Sequence, residues 1–594
     1  MRNRIATVAA VTFAATLALS GCGSGSKSGA SSGASSSPSA GTSSGASSGP
    51  GSSAGAKASS SSSSSAAAAP TGLLTVGRGN GTQTNNSNPF VSTSSTQQLG
   101  YGFVVYEPLA QVNIVRPTQA PVPWLATAWK WNANYTQVEF TIRKNVKWSD
   151  GQTLTPEDVA YSIQLRKDKT ALNSEALPYK SVTTTGSTVT VAFTSPQFVN
   201  QFKVLNLFIV PKHIWSKIAD PTTDLNQHPV GTGPYSLTSW SAQAVTLDAR
   251  SDYWGGQPKV KTMRFLPYND NNSFTTALTT GQVQWGQGFI PNIDKIYASK
   301  DPAHNKYWFP GGLGIDQLSL NTQTAPFNDV AVRKAVNMVV DRAQISKVAE
   351  SGIFPELTSI TGLPTPAGEL FVAPQYAGKK LAVDVAGAKK VLTDAGYTYS
   401  GDKLMGKNGQ QVSFEMTDPA GWSDYLTQLQ LVASAVKQIG ISTTVATPSV
   451  DAWTTNIQNG KYQAALHWTD SGATPYNMYS TMFDGVYKKP LGKKADWNFG
   501  RFDNAAATKA FAAYQNASDD ATRKAALSTI QDTWVKEVPV IGMDIRPELG
   551  IYSTKSWLGW PSEAEPYADP APTGFNMSEI MMKLHAAPQE SGET

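Results

Sequence analysis

A tract of low complexity, residues 23–70, decides where this chain can fold. The tract consists almost wholly of glycine, serine and alanine, with a few prolines. Such a composition cannot bury an apolar core, so we predict a flexible tether. The folded part of the chain is therefore expected in residues 71–594. That length exceeds what one hydrophobic core usually serves, so several domains are expected.

The segment before the tract predicts export. Two arginines precede an apolar run over residues 5–19, and "LSGC" follows, ending at Cys22. A basic start, a short apolar stretch and small residues before a cleavage point are typical of a secretory signal, which we assign to residues 1–21. Cys22 is the single cysteine of the chain, so no internal disulfide and no cysteine-based metal site are expected.

The position of Cys22 adds a resemblance to this interpretation. A small-residue cleavage site with cysteine directly after it resembles the bacterial lipobox. The resemblance implies that Cys22 is lipidated and that residues 22–70 tether the protein to the outer face of the cytoplasmic membrane. The alternative is an ordinary signal peptide with an incidental cysteine.

Charge excludes one class of partner. The formal net charge is +5, but four basic residues lie in the first 70 positions, where no acid occurs. The remaining residues therefore carry a formal charge of +1. Binding of nucleic acid requires a concentrated basic face, so no nucleic acid is expected as a partner. Charged residues are 15% of the chain and tryptophans number 16, which suits aromatic surfaces for a polar ligand.

The stretch "VKWSDGQTLTPEDVAYSI" tests whether acids near a tryptophan mark a catalytic site. Asp150 precedes Gly151 in a turn pair. Thr155 is a good helix N-cap, and Glu157 and Asp158 favour the positive end of a helix dipole. The stretch is therefore predicted to be scaffold, a turn followed by a helix start, with Trp148 packed at the end of a strand.

Periodicity elsewhere indicates α/β architecture. "QVEFTI" alternates apolar and polar residues as a half-buried strand does, and "SVTTTGSTVTVAF" predicts a hairpin around Gly186. "DVAGAKKVLTDAGY" predicts a helix ended by Gly396. "TRKAALSTIQDTWVKEVPVI" predicts a helix followed by a strand. Helices and strands mixed over this length indicate an α/β fold.

Five blocks, in order, resemble one family. They are "PWLATAWKWNANYTQVEFTIRKNVKWSDGQTLTPEDVAYSI", "PVGTGPYSLTSW" with "RSDYWGG", "LSLNTQTAPFNDVAVRKAVNMVVDR", "DVAGAKKVLTDAGY" and "RKAALSTIQDTWVKEVPVIGM". This set resembles the extracytoplasmic solute-binding proteins of ABC importers, family 5, which includes oligopeptide, dipeptide and oligosaccharide binders. The resemblance implies a periplasmic-binding-protein-like fold of class II, the large three-domain type, with two lobes closing on a ligand cleft. The implied boundaries are domain I at 71–110, 228–315 and 545–594, domain II at 111–227, and domain III at 316–544.

The resemblance leaves two main ligand classes open, with another ligand, such as a metal chelate, as a third possibility. Peptide binders of the family clasp an extended backbone, and they commonly use an aspartate for the ligand's α-amino group. Asp470 in "ALHWTDSGATPYNMY" stands at the matching place. Aromatic residues in "VQWGQGFIPNI", "DSGATPYNMY" and "WLGWPSEAEPYADP" resemble instead the branch that binds cello- and related β-linked oligosaccharides. Sugar rings stack their apolar faces on Trp and Tyr. We expect an oligosaccharide, with an oligopeptide or dipeptide as the alternative.

The candidate ligand-binding residues follow from these segments and from an N-terminal loop. His467 is expected either to hydrogen-bond in the cleft or to pack as a neutral ring. The predicted ligand-binding residues are Asn88, Phe90, Trp285, Phe289, Trp468, Asp470, Tyr476 and Trp560.

The remaining expectations concern partners and chemistry. The resemblance implies a small-molecule ligand, permease subunits in the membrane and a monomer. A glycosidase is the remote alternative, but it needs two acids flanking the scissile bond, and no acid lies in a recognisable catalytic motif. The histidines have no paired ligand spacing, so no metal site is expected. Neither enzymatic activity nor a cofactor is expected.

Overall fold

A computed structural model describes residues 72–79, 83–116, 119–517 and 519–588. The predictions for the signal 1–21, for Cys22 and for the whole tether 23–70 lie outside the described residues. No helix in the described ranges is both long and apolar enough to span a bilayer.

The strands pair into three larger sheets and three short ones. In chain order the strands are β1 (Leu73–Arg78), β2 (Ala110–Gln111), β3 (Val122–Pro123), β4 (Ala126–Trp131), β5 (Gln137–Ile142), β6 (Tyr179–Thr185), β7 (Thr188–Phe193), β8 (Tyr235–Ser241), β9 (Ala244–Ala249), β10 (Thr262–Pro267), β11 (Trp285–Gln287), β12 (Asn305–Trp308), β13 (Ile315–Leu320), β14 (Thr398–Ser400), β15 (Lys403–Met405), β16 (Ser413–Thr417), β17 (Ser442–Ala446), β18 (Ala464–Trp468), β19 (Val540–Ile545), β20 (Gly550–Ser553), β21 (Trp557–Leu558) and β22 (His585–Ala586).

Helices connect and cover these sheets. The α-helices are α1 (Ser95–Gln98), α2 (Gly102–Val105), α3 (Pro156–Asp168), α4 (Gln201–Leu205), α5 (Lys212–Trp215), α6 (Asn271–Thr279), α7 (Ile293–Ile296), α8 (Val330–Val339), α9 (Arg342–Gln344), α10 (Val385–Asp394), α11 (Ser423–Lys437), α12 (Val450–Asn459), α13 (Pro475–Phe483), α14 (Ala505–Asn516), α15 (Asp520–Glu537) and α16 (Met577–Lys583). Short 3-10 turns include Phe198–Asn200 and Gly485–Tyr487, and a π-helical turn spans Ile345–Ala349.

Two mixed sheets organise most of the folded chain. The seven-stranded sheet has the order β12-β20-β11-β1-β10-β9-β8, and the five-stranded sheet has the order β17-β16-β18-β13-β19. A separate four-stranded sheet has the order β4-β5-β7-β6. Each of the three sheets packs on a buried apolar cluster of its own. The domain boundaries given above stay a prediction.

The local predictions for the four-stranded sheet are confirmed. In β5, Val138 and Phe140 are fully buried, whereas Glu139 and Thr141 are exposed. β6 and β7 form the hairpin around Gly186, which has the positive φ of 58° that glycine adopts readily. The alternation of side chains along a strand between the two faces of the sheet thus determines which residues reach the core.

The helix start after Pro156 is also confirmed. Thr155 caps α3, and its backbone N–H donates to Asp158 Oδ2 at 2.8 Å in a capping box. A second Asp158 oxygen accepts from the backbone N–H of Lys212 at 2.9 Å. Trp148 is fully buried. The acids of this stretch are therefore scaffold, because they hold a turn and the start of a helix.

Two short connections join the seven-stranded and five-stranded sheets. Residues 309–314 lead from β12 to β13, and residues 546–549 lead from β19 back to β20. The two connections run side by side, since Arg546 N donates to Gly314 O at 3.1 Å and Glu548 N donates to Pro310 O at 3.0 Å. These connections divide the folded chain into two halves, one with the seven-stranded sheet and one with the five-stranded sheet. Hinged proteins close by rotation about a few residues that connect two halves.

Candidate functional site

Strand order brings polar residues to one edge of the five-stranded sheet. β13 runs antiparallel to both β18 and β19, so its first residues face their last ones. Asp316 lies opposite Trp468 on one side, and Ile315 lies opposite Ile545 on the other. Arg546 directly follows β19. Asp316, Trp468 and Arg546 therefore meet at this edge although they are far apart in sequence.

The seven-stranded sheet presents a second edge. β1 is parallel to β11, and its last residue, Arg78, lies opposite Gln287. The Arg78 guanidinium donates to Gln287 Oε1, which also accepts from Thr573 Oγ1 at 2.7 Å. Burial and the nearby Arg546 lower the pKa of Arg78 to about 9. Arg78 and Arg546 therefore share one electrostatic environment at the two edges.

We call the residues at these two edges the strand-end site. The seven-stranded sheet contributes two of them, and the five-stranded sheet with its connections contributes the others. The strand-end site comprises Arg78, Gln287, Asp316, Trp468, Asp470, Arg546 and Glu548.

Arg546 is the central cation of the strand-end site. Its Nη1 donates to Asp316 Oδ1 at 3.0 Å and lies 3.2 Å from the Tyr425 hydroxyl, which donates to the same Asp316 oxygen at 2.8 Å. Burial raises the pKa of Asp316, and Arg546 opposes that rise. Burial acts to lower the pKa of Arg546, but Asp316, Tyr425 and Glu548 together raise it above its ordinary value. Arg546 is therefore a fixed positive charge near neutral pH.

Trp468 lies beside Arg546 and is partly exposed. Among the Trp, Tyr and Phe side chains that the structure describes it is the most exposed, with 38% of its surface accessible. Its ring centroid lies 6.2 Å from that of Trp422, 6.3 Å from that of Trp453 and 4.2 Å from that of His467. The Arg546 guanidinium lies 5.5 Å from the Trp468 ring. The indole is thus supported by aromatic neighbours while part of it stays accessible.

His467 strengthens this support. Its Nδ1 donates to the Trp468 carbonyl at 2.7 Å, and its ring stacks on Trp453 at 5.6 Å. Burial lowers the pKa of His467 to about 4. The ring is therefore neutral at pH 7 and packed, which agrees with one of the two roles expected from the sequence.

Asp470 lies just beyond β18 and meets a cation from a distant segment. Lys203 Nζ lies 3.9 Å from Asp470 Oδ2 and 3.2 Å from Glu175 Oε2. Burial raises the pKa of Asp470, with Lys203 opposing the rise. Burial lowers the pKa of Lys203, but Glu175 and Asp470 together raise it above its ordinary value. Lys203 is therefore protonated near neutral pH.

Glu548 shares the electrostatic environment of the two arginines. Burial raises the pKa of Glu548, whereas Arg546 and Arg78 lower it. Asp470 raises it, which places Asp470 in the same electrostatic environment. The ionised groups of the strand-end site are thus balanced by partners from the protein itself. No group of three or more His, Cys, Asp or Glu side chains that could hold a metal ion occurs in the described ranges.

The two halves also touch away from the strand-end site. Asn271, the first residue of α6, donates to Asp424 Oδ1 at 3.0 Å and to Ser423 Oγ at 3.1 Å at the start of α11. Burial raises the pKa of Asp424 to about 6. This contact joins a helix beside the seven-stranded sheet to one beside the five-stranded sheet.

Two predicted ligand residues, Trp285 and Trp560, lie together in the core of the seven-stranded sheet. Trp285 is 0% exposed, and its Nε1 donates to Pro570 O at 2.8 Å. Its ring lies 5.3 Å from that of Trp560, which stacks on Tyr552 at 5.1 Å. Neighbouring rings therefore cover these indoles, and a ligand contact for either stays a prediction.

Asn88 and Phe90 are also occupied by protein contacts. Asn88 Nδ2 donates to Pro221 O at 2.9 Å and to Asp224 O at 2.8 Å, and its Oδ1 accepts from Phe90 N. The Phe90 ring packs against Trp215 at 5.1 Å. These contacts fix the segment that follows β1, and a ligand role for either residue stays a prediction.

Phe289 and Tyr476 are buried in two further places. Phe289 packs edge-on against Phe354 at 6.4 Å. Tyr476 stacks on Tyr514 at 5.7 Å, and its hydroxyl donates to Gln515 at 3.1 Å. Of the eight residues predicted to bind ligand, the structure therefore brings Trp468 and Asp470 together at the strand-end site.

Sequence reasoning missed the cations of this region. Arg78 and Arg546 each stand at or just after the end of a buried strand, and residues in such positions face the ligand crevice in many α/β proteins. That signal was available in "LLTVGR" and "PVIGMDIR". Asp316 and Lys203 carried no comparable signal, because their importance arises from partners far away in sequence.

Comparison with known proteins gives the class of the molecule. A sequence model described as "Bacterial extracellular solute-binding proteins, family 5 Middle" matches residues 120–489. The chain belongs to family 5 of the bacterial extracellular solute-binding proteins. The resemblance drawn from the five sequence blocks is thereby confirmed. Members of this family are extracytoplasmic binding proteins of ABC importers, which implies a small-molecule ligand and permease partners.

Particular relatives and structures support the same family. The chain is 27% identical to Protein XP55 of Streptomyces lividans over 410 residues, which cover 67% of this chain and 71% of that protein. Its fold is similar to that of a mannohexaose-bound periplasmic oligopeptide-binding protein of Thermotoga maritima, with TM-score 0.78, 21% identity, and coverage of 87% of this chain and 99% of that one. It is also similar to the oligopeptide-binding protein AppA of Bacillus subtilis in complex with a nonapeptide, with TM-score 0.70, 20% identity, and coverage of 87% and 99%. The predicted α/β, periplasmic-binding-protein-like fold is confirmed.

Proposed function

We propose that this protein captures an oligosaccharide at the strand-end site and delivers it to the permease of an ABC importer. A sugar ring stacks on the exposed part of Trp468, and the polar side chains around it hydrogen-bond to the hydroxyls. The two halves close over the ligand by rotation about residues 309–314 and 546–549. The protein acts as a binder and returns its ligand unchanged.

The accessible, supported indole of Trp468 carries this proposal. An exposed aromatic ring costs solvation free energy, so a large one held rigid beside a polar cluster is typical of a binding surface. The contacts with Trp422, Trp453 and His467 fix the ring before the ligand arrives. A ring that is already ordered loses little entropy on binding.

The charge balance of the site agrees with an uncharged ligand. Arg546 is paired with Asp316, and Lys203 lies close to both Asp470 and Glu175. A ligand that carries full charges would have to compete with these internal partners. A sugar needs hydrogen-bonding partners and no counter-charge.

An oligopeptide is the second candidate, and Asp470 favours it. Its carboxylate is partly accessible and stands where the family's peptide binders hold an α-amino group, as the resemblance implies. The nonapeptide complex of AppA shows that a similar fold accommodates a peptide. The mannohexaose complex from Thermotoga maritima shows that a similar fold accommodates an oligosaccharide.

The proposal extends to the location of the protein. Cys22 carries a lipid that anchors the chain to the outer face of the cytoplasmic membrane, and residues 23–70 form the tether. The single cysteine directly after "LSG" supports this anchor. The protein works as a monomer at the membrane surface, next to its permease.

A ligand panel tests the function. The mature protein is melted with manno- and cello-oligosaccharides of two to six units, and with di-, tri- and tetrapeptides. Ligand at 100 times its Kd adds about 2.7 kcal/mol to the free energy of unfolding, which raises the melting temperature measurably. We expect a rise with at least one oligosaccharide series and recovery of the intact sugar. A rise with peptides and none with sugars would refute the oligosaccharide proposal.

Variants of Trp468 locate the binding surface. Trp468→Ala is expected to weaken sugar binding by about 1–2 kcal/mol, roughly 5- to 30-fold, because the stacking face is lost. Trp468→Phe should retain part of the affinity. Leu370→Ala is the matched control. It removes a side chain that is 92% exposed and lies, like Trp468, in the half of the chain that carries the five-stranded sheet. Equal sugar affinity in Trp468→Ala and Leu370→Ala would remove Trp468 from the site.

A further inference from the structure

Lys203 brings a positive charge to the strand-end site from a separate part of the fold. It lies on α4, which follows the 3-10 turn Phe198–Asn200 beside the four-stranded sheet. Asp470 follows β18 of the five-stranded sheet. Their contact therefore joins two sheets, with Lys203 Nζ 3.9 Å from Asp470 Oδ2.

The segment that carries Lys203 is held on both sides. Val204 and Leu205 are buried with the four-stranded sheet, whereas Val199 is buried with helices α13–α15. The guanidinium of Arg523 on α15 lies 4.0 Å from the Phe198 ring. Only 10% of the Lys203 side chain is exposed. The ammonium group is therefore fixed in place and is not a mobile surface charge.

We infer that Lys203 is a specificity-determining residue, because it gives Asp470 an internal cation and so disfavours ligands that bring a free ammonium group to this end of the site. A carboxylate that borders a binding surface attracts a cation from the ligand when the protein supplies none. Here the protein supplies one. The ammonium of an unmodified peptide would meet both a carboxylate already engaged and a like charge close by.

The inference names the ligand class of the same site, so it rests on the proposed function. Ligands favoured at Asp470 are uncharged there, as an oligosaccharide or an N-blocked peptide is. Repulsion of this kind is a common source of specificity, because like charges brought together across a binding surface exclude the wrong partner.

Glu175 provides a matched control. It also contacts Lys203, with Glu175 Oε2 3.2 Å from Nζ, but 42% of its side chain is exposed. Replacing Glu175 by Gln removes a partner of Lys203 and leaves the Lys203 charge next to Asp470. A structural role for the ion pairs would make Lys203→Met and Glu175→Gln behave alike, whereas specificity set by the Lys203 charge makes them differ.

Calorimetric titration of the mature protein tests the inference. The probes are tetra-alanine and tri-leucine with free amino ends, the same peptides N-acetylated, and the manno- and cello-oligosaccharides. We expect Lys203→Met to bind free-amine peptides at least tenfold more tightly than the unaltered protein does. Lys203→Arg and Glu175→Gln should show no such gain, and acetylated peptides should gain nothing in any variant.

Three outcomes separate the inference from the proposed function. The inference is overturned if Lys203→Met, folded as judged by its melting, gains no affinity for free-amine peptides. It is also overturned if the unaltered protein binds free and acetylated peptides equally well. Binding of acetylated peptides alone, with no oligosaccharide bound, would refute the proposed function and support the role of Lys203.

Discussion

Replacement of Arg546 by Met should lower the stability of the protein more at pH 7.5 than at pH 5. Asp316 is fully buried, and Arg546 and the Tyr425 hydroxyl are its hydrogen-bonding partners. Removing Arg546 leaves the Asp316 carboxylate buried with one neutral donor. Loss of one partner from a buried ion pair typically costs about 3–5 kcal/mol, because the remaining charge is uncompensated.

The sign of the pH dependence follows from the pKa of Asp316. Burial already raises this pKa above 3.8, and the loss of Arg546 raises it further. A carboxyl group with a raised pKa in the folded state binds a proton more readily there than in the unfolded chain. The penalty is therefore absent below the unfolded pKa and grows as pH rises through the folded pKa. We expect Arg546→Met to lose about 3 kcal/mol or more at pH 7.5 and clearly less at pH 5.

Urea unfolding of both proteins at pH 7.5 and pH 5 measures this difference. The double variant Arg546→Met with Asp316→Asn is the control, because it removes the stranded charge. Its stability relative to the unaltered protein should change less between the two pH values than that of Arg546→Met, and the remaining change reflects Glu548, whose pKa Arg546 also lowers. An equal loss in Arg546→Met at both pH values, or a loss that grows towards pH 5, would contradict the reasoning about Asp316.

Three further predictions concern other parts of the chain. Trp285→Ala should lower the free energy of unfolding by about 3–5 kcal/mol in urea titration, because the side chain is fully buried; a loss below 1 kcal/mol would contradict its core position. His467, neutral and buried with a pKa of about 4, contributes stability that is present above pH 6.5 and lost as pH falls towards 4, by about 3 kcal/mol. Relative to a His467→Gln variant, the unaltered protein should therefore weaken on acidification, and parallel stability profiles would count against this. Cys22→Ser should move the protein from the membrane fraction to the soluble fraction of cells, and continued membrane attachment would refute the lipid anchor.

Local signals in the sequence predicted much of the fold. Thr155 and Asp158 form the capping box that "TPED" indicated, and alternation in β5 placed Phe140 in the core. These features depend on residues within a few positions of one another. Turn chemistry, capping and periodicity therefore transfer directly from sequence to structure.

The site was harder to predict, because the presence of a tryptophan in the sequence does not show whether its ring packs in the core or lies at a binding surface. Trp285 and Trp468 are the same residue type in similar polar contexts, but Trp285 is fully buried whereas Trp468 is partly exposed. Only the tertiary arrangement determines which rings cover each other. Lys203 shows the same limit for charge, since its partner Asp470 lies in a different sheet.

The two adjacent connections have a consequence for how such a protein can be cut. Every strand of the five-stranded sheet lies between residues 315 and 545, and these two residues are register partners in neighbouring strands. The ends of that half are thus about 5 Å apart. Chain ends this close tolerate excision, circular permutation and insertion. We therefore expect that the half that carries Trp468 and Asp470 can be exchanged between related proteins through two junctions that lie side by side.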